Sequence, residues 1–152
     1  MAGVRTSVPL RRFLVIGIGN PLRGDDGVGP WLAARVGGRG VQQLTPELAP
    51  ELLGLDHVLF IDAALNPCRP RLEAVADGST ASPELPQLLL GHALTPQQLI
   101  GLCRPLYGAA PQATLLLLPG AGFAHGTTWS TTLRRHLPAA RRLLHQWLSA
   151  HA

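Results

Sequence analysis

The chain has 152 residues, of which 46% are hydrophobic and 14% are charged, a balance typical of one compact globular domain. Nine acidic and thirteen basic residues give a net charge of +4. All thirteen basic residues are arginines, which excludes a Walker-type phosphate lysine and a Schiff-base lysine. The two cysteines provide neither a disulfide framework nor a metal-binding spacing.

The sequence predicts no targeting or membrane segment. No apolar run approaches the ~20 residues that span a bilayer, and residues 1–11 lack the apolar core of a signal peptide. We therefore expect a short disordered lead-in at 1–11, a single domain at 12–152 and a cytoplasmic location. Because the arginines form no stripe interleaved with aromatic residues, we expect no nucleic acid as a partner, and because no apolar run is long enough, we expect no insertion into a membrane.

Apolar patterning predicts that strands and helices alternate along the chain. A buried parallel strand at 13–16 is followed by a glycine-rich turn and by a helix that begins between Gly27 and Pro30. This alternation is typical of an α/β fold. The remaining predicted elements are a strand at 41–44, a short helix at 45–54, strands at 57–64 and 71–76, a capped helix at 95–108, a strand at 113–118 and a helix at 130–149 that Pro138 kinks or breaks.

The stretch from Gly17 to Gly29, GIGNPLRGDDGVG, carries the most informative pattern. Its first two glycines permit a tight turn after the strand, and two aspartates stand just before the helix. At least one carboxylate is therefore expected at the carboxyl end of a strand, where open α/β sheets bind their ligands. Asp25 is interpreted chiefly as a cap of the following helix, with a contribution of roughly 0.5–1 kcal/mol.

The same glycines could belong to a dinucleotide-binding fingerprint, which requires the pattern G-x-G-x-x-G. The third glycine position is Leu22 here, and a leucine would obstruct close helix–strand packing over a pyrophosphate. The two aspartates would also repel the phosphates. A nucleotide-binding enzyme is therefore the less favoured interpretation of this turn.

The stretch resembles the signature of the hydrogenase maturation endopeptidases, which trim the C-terminus of nickel-iron hydrogenase large subunits. The family pattern is roughly G-x-G-N-x-x-x-x-D-[DE]-x-x-G, and residues 17–29 match it in full. The resemblance covers nearly the whole chain. It implies a three-layer α/β sandwich, with a mainly parallel twisted sheet of about five strands and helices on both faces, and the alternation described above supports the same architecture.

The resemblance also implies a site of three metal-binding and catalytic side chains. The family's positions match Asp26, Asp62 at the end of a predicted strand, and His92, which precedes a predicted helix. The residue before this histidine is Gly91, where the family usually has serine or threonine, and His125 is the alternative ligand. Two carboxylates and an imidazole suit Ni²⁺, Zn²⁺ or a similar ion.

As a function, the resemblance implies a nickel-dependent, aspartic-type endopeptidase that removes the C-terminal peptide of a nickel-iron hydrogenase large-subunit precursor after nickel insertion. The precursor is the expected partner and supplies the nickel, so we expect no permanent cofactor, and we expect a monomer. The residues leave open whether the metal or a carboxylate base activates water. A non-catalytic module that senses or chaperones the metal-loaded precursor is the alternative, because it needs the same three side chains.

Overall fold

A computed structural model of the chain describes residues 12–76 and 93–151. The predicted lead-in at 1–11 lies outside these residues. No helix among the described residues is long and apolar enough to cross a membrane. The strands are β1 (Phe13–Ile18), β2 (Arg39–Val41), β3 (His57–Ala64), β4 (Arg71–Val75) and β5 (Gln112–Pro119); the helices are α1 (Val28–Arg35), α2 (Pro96–Tyr107) and α3 (Thr131–His151), with 3-10 helices at Gly24–Gly27 and Pro46–Leu52.

The described strands form a five-stranded sheet in the order β2-β1-β3-β5-β4. The pairs β1–β2, β1–β3 and β3–β5 are parallel, and β4 runs antiparallel to β5. The prediction of a mainly parallel sheet of about five strands is confirmed. Because β1 and β3 are neighbours and Gly17 pairs with Ile61, the carboxyl ends of these two strands lie side by side at one edge of the sheet.

A hydrophobic core lies on each face of the sheet, as the three-layer prediction requires. Helices α1 and α3 supply one core, and α2 supplies the other together with the 3-10 helix that follows β2. Along β3, Val58 and Phe60 belong to the α2 side, whereas Leu59 and Ile61 belong to the α1–α3 side. Successive side chains of a strand point to opposite faces, so Asp62 projects toward the α2 side.

One predicted strand boundary differs from the structure, and of the two outcomes predicted for Pro138, a kink or a break, the break does not occur. Strand β2 begins at Arg39 and ends at Val41, earlier than the predicted 41–44, because its glycine-rich start pairs with β1 instead of forming a loop; Gly40 is paired with Gly17. Helix α3 continues through Pro138. The proline is exposed, and the helix around it is held by the buried Leu133 and Leu144, which offsets the one backbone hydrogen bond that a proline removes.

Candidate active site

The glycines of the 17–29 stretch place the start of α1 directly against the ends of β1 and β3. A Cβ atom on Gly29 would lie 2.5 Å from the carbonyl oxygen of Ile61 and 2.7 Å from that of Ile18. A Cβ atom on Gly17 would in turn overlap the carbonyl group of Gly29. Glycine is therefore required for this contact, which holds the turn carrying Asp26 against the end of β3.

The Asp26 side chain is held by the residues that precede it in the same turn. Its Oδ2 accepts a hydrogen bond of 2.7 Å from the backbone N–H of Asn20, while the Asn20 side chain accepts one of 2.9 Å from the N–H of Leu22. Gly19 has φ +144°, and a side chain there would collide with the Asp26 backbone. Among the described residues, Oδ1 of Asp26 accepts no hydrogen bond.

Asp62 lies near the carboxyl end of β3 and is partly buried. Its Oδ1 accepts a hydrogen bond of 2.9 Å from the N–H of Ala63. Burial raises the pKa of Asp62 to about 6; the hydrogen bond from Ala63 opposes this rise, and the negative charge of Asp26 adds to it. The two carboxylates thus lie close enough to repel each other, and a cation between them would relieve that repulsion.

His92 lies outside the described residues. The chain is described again from Ala93, and Leu94 donates a backbone hydrogen bond of 2.9 Å to the carbonyl oxygen of Leu44, just beyond the carboxyl end of β2. Leu44 and Leu94 both belong to the core on the α2 side, which is the face toward which Asp62 projects. Helix α2 then begins at a complete capping box formed by Thr95 and Gln98, as predicted.

His125 is exposed and lies in the loop between β5 and α3. Among residues 12–76 and 93–151, no three side chains of the His, Cys, Asp or Glu type are grouped so that they could hold a metal ion. Within that part of the chain, His125 therefore does not complete a three-ligand site with Asp26 and Asp62. His125 borders a cavity of about 270 Å³ that Gly24 and Ser130 also line.

Asp25 occupies a fully buried socket, with 0% of its surface exposed. Its Oδ2 accepts hydrogen bonds from the N–H groups of Ala121 (2.8 Å) and Gly122 (3.0 Å) and from the hydroxyl of Ser130 (2.6 Å). Its Oδ1 accepts one from the N–H of Ser130 at 2.7 Å. Burial acts to raise the pKa of Asp25, but these four hydrogen bonds outweigh it and leave the pKa below its ordinary value.

The interpretation of Asp25 as a cap of the following helix is wrong. The start of α1 has no side-chain cap, and Asp25 instead supports the start of α3 through Ser130, whose hydroxyl accepts a hydrogen bond of 3.1 Å from the N–H of Leu133. Sequence reasoning missed this role because the donors lie about a hundred residues away. The sequence did offer one signal: Ser130 stands at the start of a predicted helix, a position where serine often caps the helix. Nothing in the sequence indicated that Asp25 would be its partner.

Backbone pairing ties the β5–α3 loop to the turn that carries the two aspartates. Gly24 donates to the carbonyl oxygen of Gly126 at 2.8 Å, and Gly126 donates to that of Leu22 at 2.8 Å. Asp25 also donates from its backbone to the carbonyl oxygen of Gly122 at 2.8 Å. The turn is therefore fixed on both sides, by β3 and by this loop, and the position of Asp26 follows from those contacts.

No protein-family model matches this chain, and no curated protein matches it. Solved structures do. The hydrogenase maturation protease HycI from Thermococcus kodakarensis KOD1 superposes with a TM-score of 0.66 at 17% identity, covering 91% of this chain and 92% of that chain. A hydrogenase 2 maturation peptidase from a Thaumarchaeota archaeon superposes with a TM-score of 0.63 at 22% identity, covering 91% of this chain and 99% of that chain.

The hydrogenase maturating endopeptidase HybD from E. coli gives a TM-score of 0.60 at 19% identity, covering 91% of this chain and 93% of that chain. Coverage is thus nearly complete on both sides of each comparison. The chain has the α/β fold of the hydrogenase maturation proteases. This is the fold that the resemblance of residues 17–29 implied.

Proposed function

We propose that this chain is an endopeptidase that removes the C-terminal peptide of a nickel-iron hydrogenase large-subunit precursor once nickel has been inserted. The observation that carries the proposal is the pair of partly buried carboxylates, Asp26 and Asp62, at the shared carboxyl edge of β1 and β3. The fold common to hydrogenase maturation proteases supports assigning the pair to that activity. The motif glycines support it as well, because they serve to hold the turn of Asp26 against β3.

Nickel enters this proposal as part of the substrate, bound in the precursor. Asp26 has an oxygen without a hydrogen bond inside the described structure, and Asp62 uses one oxygen for the N–H of Ala63. Each can therefore offer an anionic oxygen to Ni²⁺, which accepts mixed oxygen and nitrogen ligands. The repulsion between the two carboxylates supports a cation at this place, because a positive charge would offset it.

His92 is the proposed nitrogen ligand. Leu94, two positions later, donates a backbone hydrogen bond to Leu44 on the side of the sheet toward which Asp62 projects. The capping box at Thr95 then fixes where α2 begins. A histidine close to such a fixed helix start would have the surrounding support on which metal ligands depend.

The proposal is tested by incubating the protein with nickel-loaded and nickel-free precursor and measuring the intact mass of each. We expect the nickel-loaded precursor to lose its C-terminal peptide and the nickel-free precursor to stay whole. Equal cleavage of both forms would contradict nickel dependence. Stable binding of the loaded precursor without any loss of mass would indicate a sensing or chaperone module in place of a protease.

The choice between the two histidines is tested separately with His92→Ala and His125→Ala. We expect His92→Ala to lose Ni²⁺ or Cd²⁺ binding by calorimetry and to lose processing, whereas His125→Ala keeps most of both. His125 is the matched control because it lies on an exposed loop of the same edge region. The reverse result would move the nitrogen ligand to His125, and full retention in both variants would contradict a three-ligand site.

A further inference from the structure

An open groove of about 740 Å³ lies between the turn after β1 and the segment that leads into α3. One wall belongs to the turn of Asp26, through Pro21 and Gly27. The groove therefore adjoins the turn that carries Asp26 and extends over the α1–α3 side of the molecule, and neither Asp26 nor Asp62 is among its lining residues. The side chains that shape it are Pro21, Pro30, Trp31, Thr128, Trp129 and Arg134.

Two aromatic side chains, Trp31 and Trp129, line the groove. Trp31 and Trp129 meet edge to face, with ring centroids 5.0 Å apart, and both rings are partly buried. Such a pair offers a large, rigid apolar surface that loses little conformational freedom when it is covered. An occupant with an apolar side chain is therefore favoured over a purely polar one.

The charge around the groove is positive. Arg134 is exposed and lines it, and the guanidinium carbon of Arg35 lies 3.6 Å from the centroid of the Trp31 ring. The ion pairs among the described residues are Arg39–Glu51 and Arg71–Glu73, so neither groove arginine is neutralised by an acid there. None of the lining residues in the described part of the chain is acidic, so a negatively charged occupant is expected.

We propose that this groove binds the segment of the substrate polypeptide that flanks the cleaved bond, and that this segment combines apolar and acidic side chains. The inference rests on the proposed function, since the groove starts at the turn of Asp26. The volume lies within the range of ligand-binding clefts. Residues 1–11 of this chain are a poorer match in charge, because they contain Arg5 and Arg11 and no acid.

The first test uses two synthetic peptides of equal length and no nickel. One alternates leucine and phenylalanine with aspartate, and the other has lysine in place of each aspartate. Titration followed by tryptophan fluorescence of the full chain should show about tenfold tighter binding of the acidic peptide. Arg134→Glu should abolish this preference, while Arg142→Glu, an exposed arginine of the same helix that does not line the groove, should keep it.

The second test measures processing of the nickel-loaded precursor by the same variants. Arg134→Glu should raise KM several-fold with a smaller effect on kcat, because the groove contributes binding outside the reacting bond. Trp129→Leu should do the same through the lost aromatic contact. Arg142→Glu should match the wild type in both constants.

The outcomes separate the groove from the proposed function. Selective binding of the acidic peptide, lost in Arg134→Glu, supports the groove even if the precursor is never cleaved. Equal binding of both peptides, or an unchanged KM in Arg134→Glu while the precursor is cleaved, overturns the groove and leaves the protease intact. Competition by a peptide of residues 1–11, or a dimer that Arg134→Glu dissociates in sedimentation, would also overturn it by assigning a different occupant.

Discussion

Asp25 and Asp26 are neighbours in sequence, but they occupy opposite environments. Asp25 is fully buried and accepts four hydrogen bonds from Ala121, Gly122 and Ser130. Asp26 is partly buried and accepts one hydrogen bond from the described residues. Identical side chains one position apart therefore differ in their contacts: within the described structure, Asp25 accepts hydrogen bonds at both carboxylate oxygens, and Asp26 accepts one at Oδ2 only.

The pKa values of Asp25 and Asp62 shift in opposite directions. Asp25 lies in the buried socket, and Asp62 lies at the edge of the sheet that it shares with Asp26. Hydrogen bonds keep the pKa of Asp25 low, so the folded protein favours its charged form. Burial, with a contribution from Asp26, raises the pKa of Asp62 to about 6, so the folded protein disfavours its charge at neutral pH. A carboxylate retained against stability in this way is typical of a functional site.

The largest change in stability is expected for Asp25→Asn, which tests the socket. The amide places N–H groups opposite buried donors and should lower the free energy of unfolding by roughly 2–4 kcal/mol, well above the contribution of an ordinary helix cap. Urea unfolding at pH 7 measures it, with the exposed Asp56→Asn as the control. A loss no greater than that of the control would contradict a structural socket.

The pH dependence of Asp25→Asn has a definite sign. Because the pKa of Asp25 is lower in the folded state than its ordinary value of 3.8, its contribution is present above about pH 4 and is lost as the pH falls through the folded-state pKa. The difference in stability between wild type and variant should therefore narrow only in strong acid.

Asp62→Asn tests the open edge and should have the opposite effect. The folded-state pKa is raised from 3.8 to about 6, so the contribution of Asp62 to stability is full below pH 4 and is lost as the pH rises through 6. At pH 8 the amide should raise the free energy of unfolding by on the order of 2 kcal/mol, and at pH 4 by little or nothing.

Urea unfolding at both pH values, with a chelator present, measures the effect of Asp62→Asn. Asp56→Asn is the control, because Asp56 is an exposed acid just before the start of β3, at the opposite end of that strand from Asp62. If Asp62→Asn lowers the free energy of unfolding at pH 8, or changes it equally at pH 4 and pH 8, the predicted contrast between Asp62 and Asp25 is contradicted.

The smallest effect is expected for Ser130→Ala. This change removes the hydroxyl that donates to Asp25 and accepts from the N–H of Leu133, and should cost about 1 kcal/mol. Thermal unfolding checks it against Thr131→Ala at the neighbouring exposed position. A loss as large as that of Asp25→Asn would mean that the serine, and not the carboxylate, organises the socket.

Much of the fold could be predicted because its signals are local. The apolar run of β3, the capping box at Thr95 and the glycines between β1 and α1 each specify their own element. The family resemblance and the parallel direction of the predicted strands placed Asp26 and Asp62 at a common edge. The strand order that makes β1 and β3 neighbours came from the structure.

The socket of Asp25 could not be predicted, since it depends on contacts between distant parts of the chain. Its donors at Ala121, Gly122 and Ser130 come together only when the β5–α3 loop closes over the turn. The groove between Trp31 and Trp129 depends on the same closure. Neither the socket nor the groove corresponds to a motif or a periodic pattern in the sequence, so both could be recognised only in the tertiary structure.

We propose that Asp26 belongs to the reactive edge of the sheet, whereas Asp25 serves the fold. The most direct test is the cleavage rate of nickel-loaded precursor per folded molecule for Asp26→Asn and Asp25→Asn, with the folded fraction taken from unfolding curves. We predict that folded Asp26→Asn does not cleave, whereas the folded fraction of Asp25→Asn cleaves at close to the wild-type rate. Near wild-type cleavage by Asp26→Asn, or none by folded Asp25→Asn, would contradict this division.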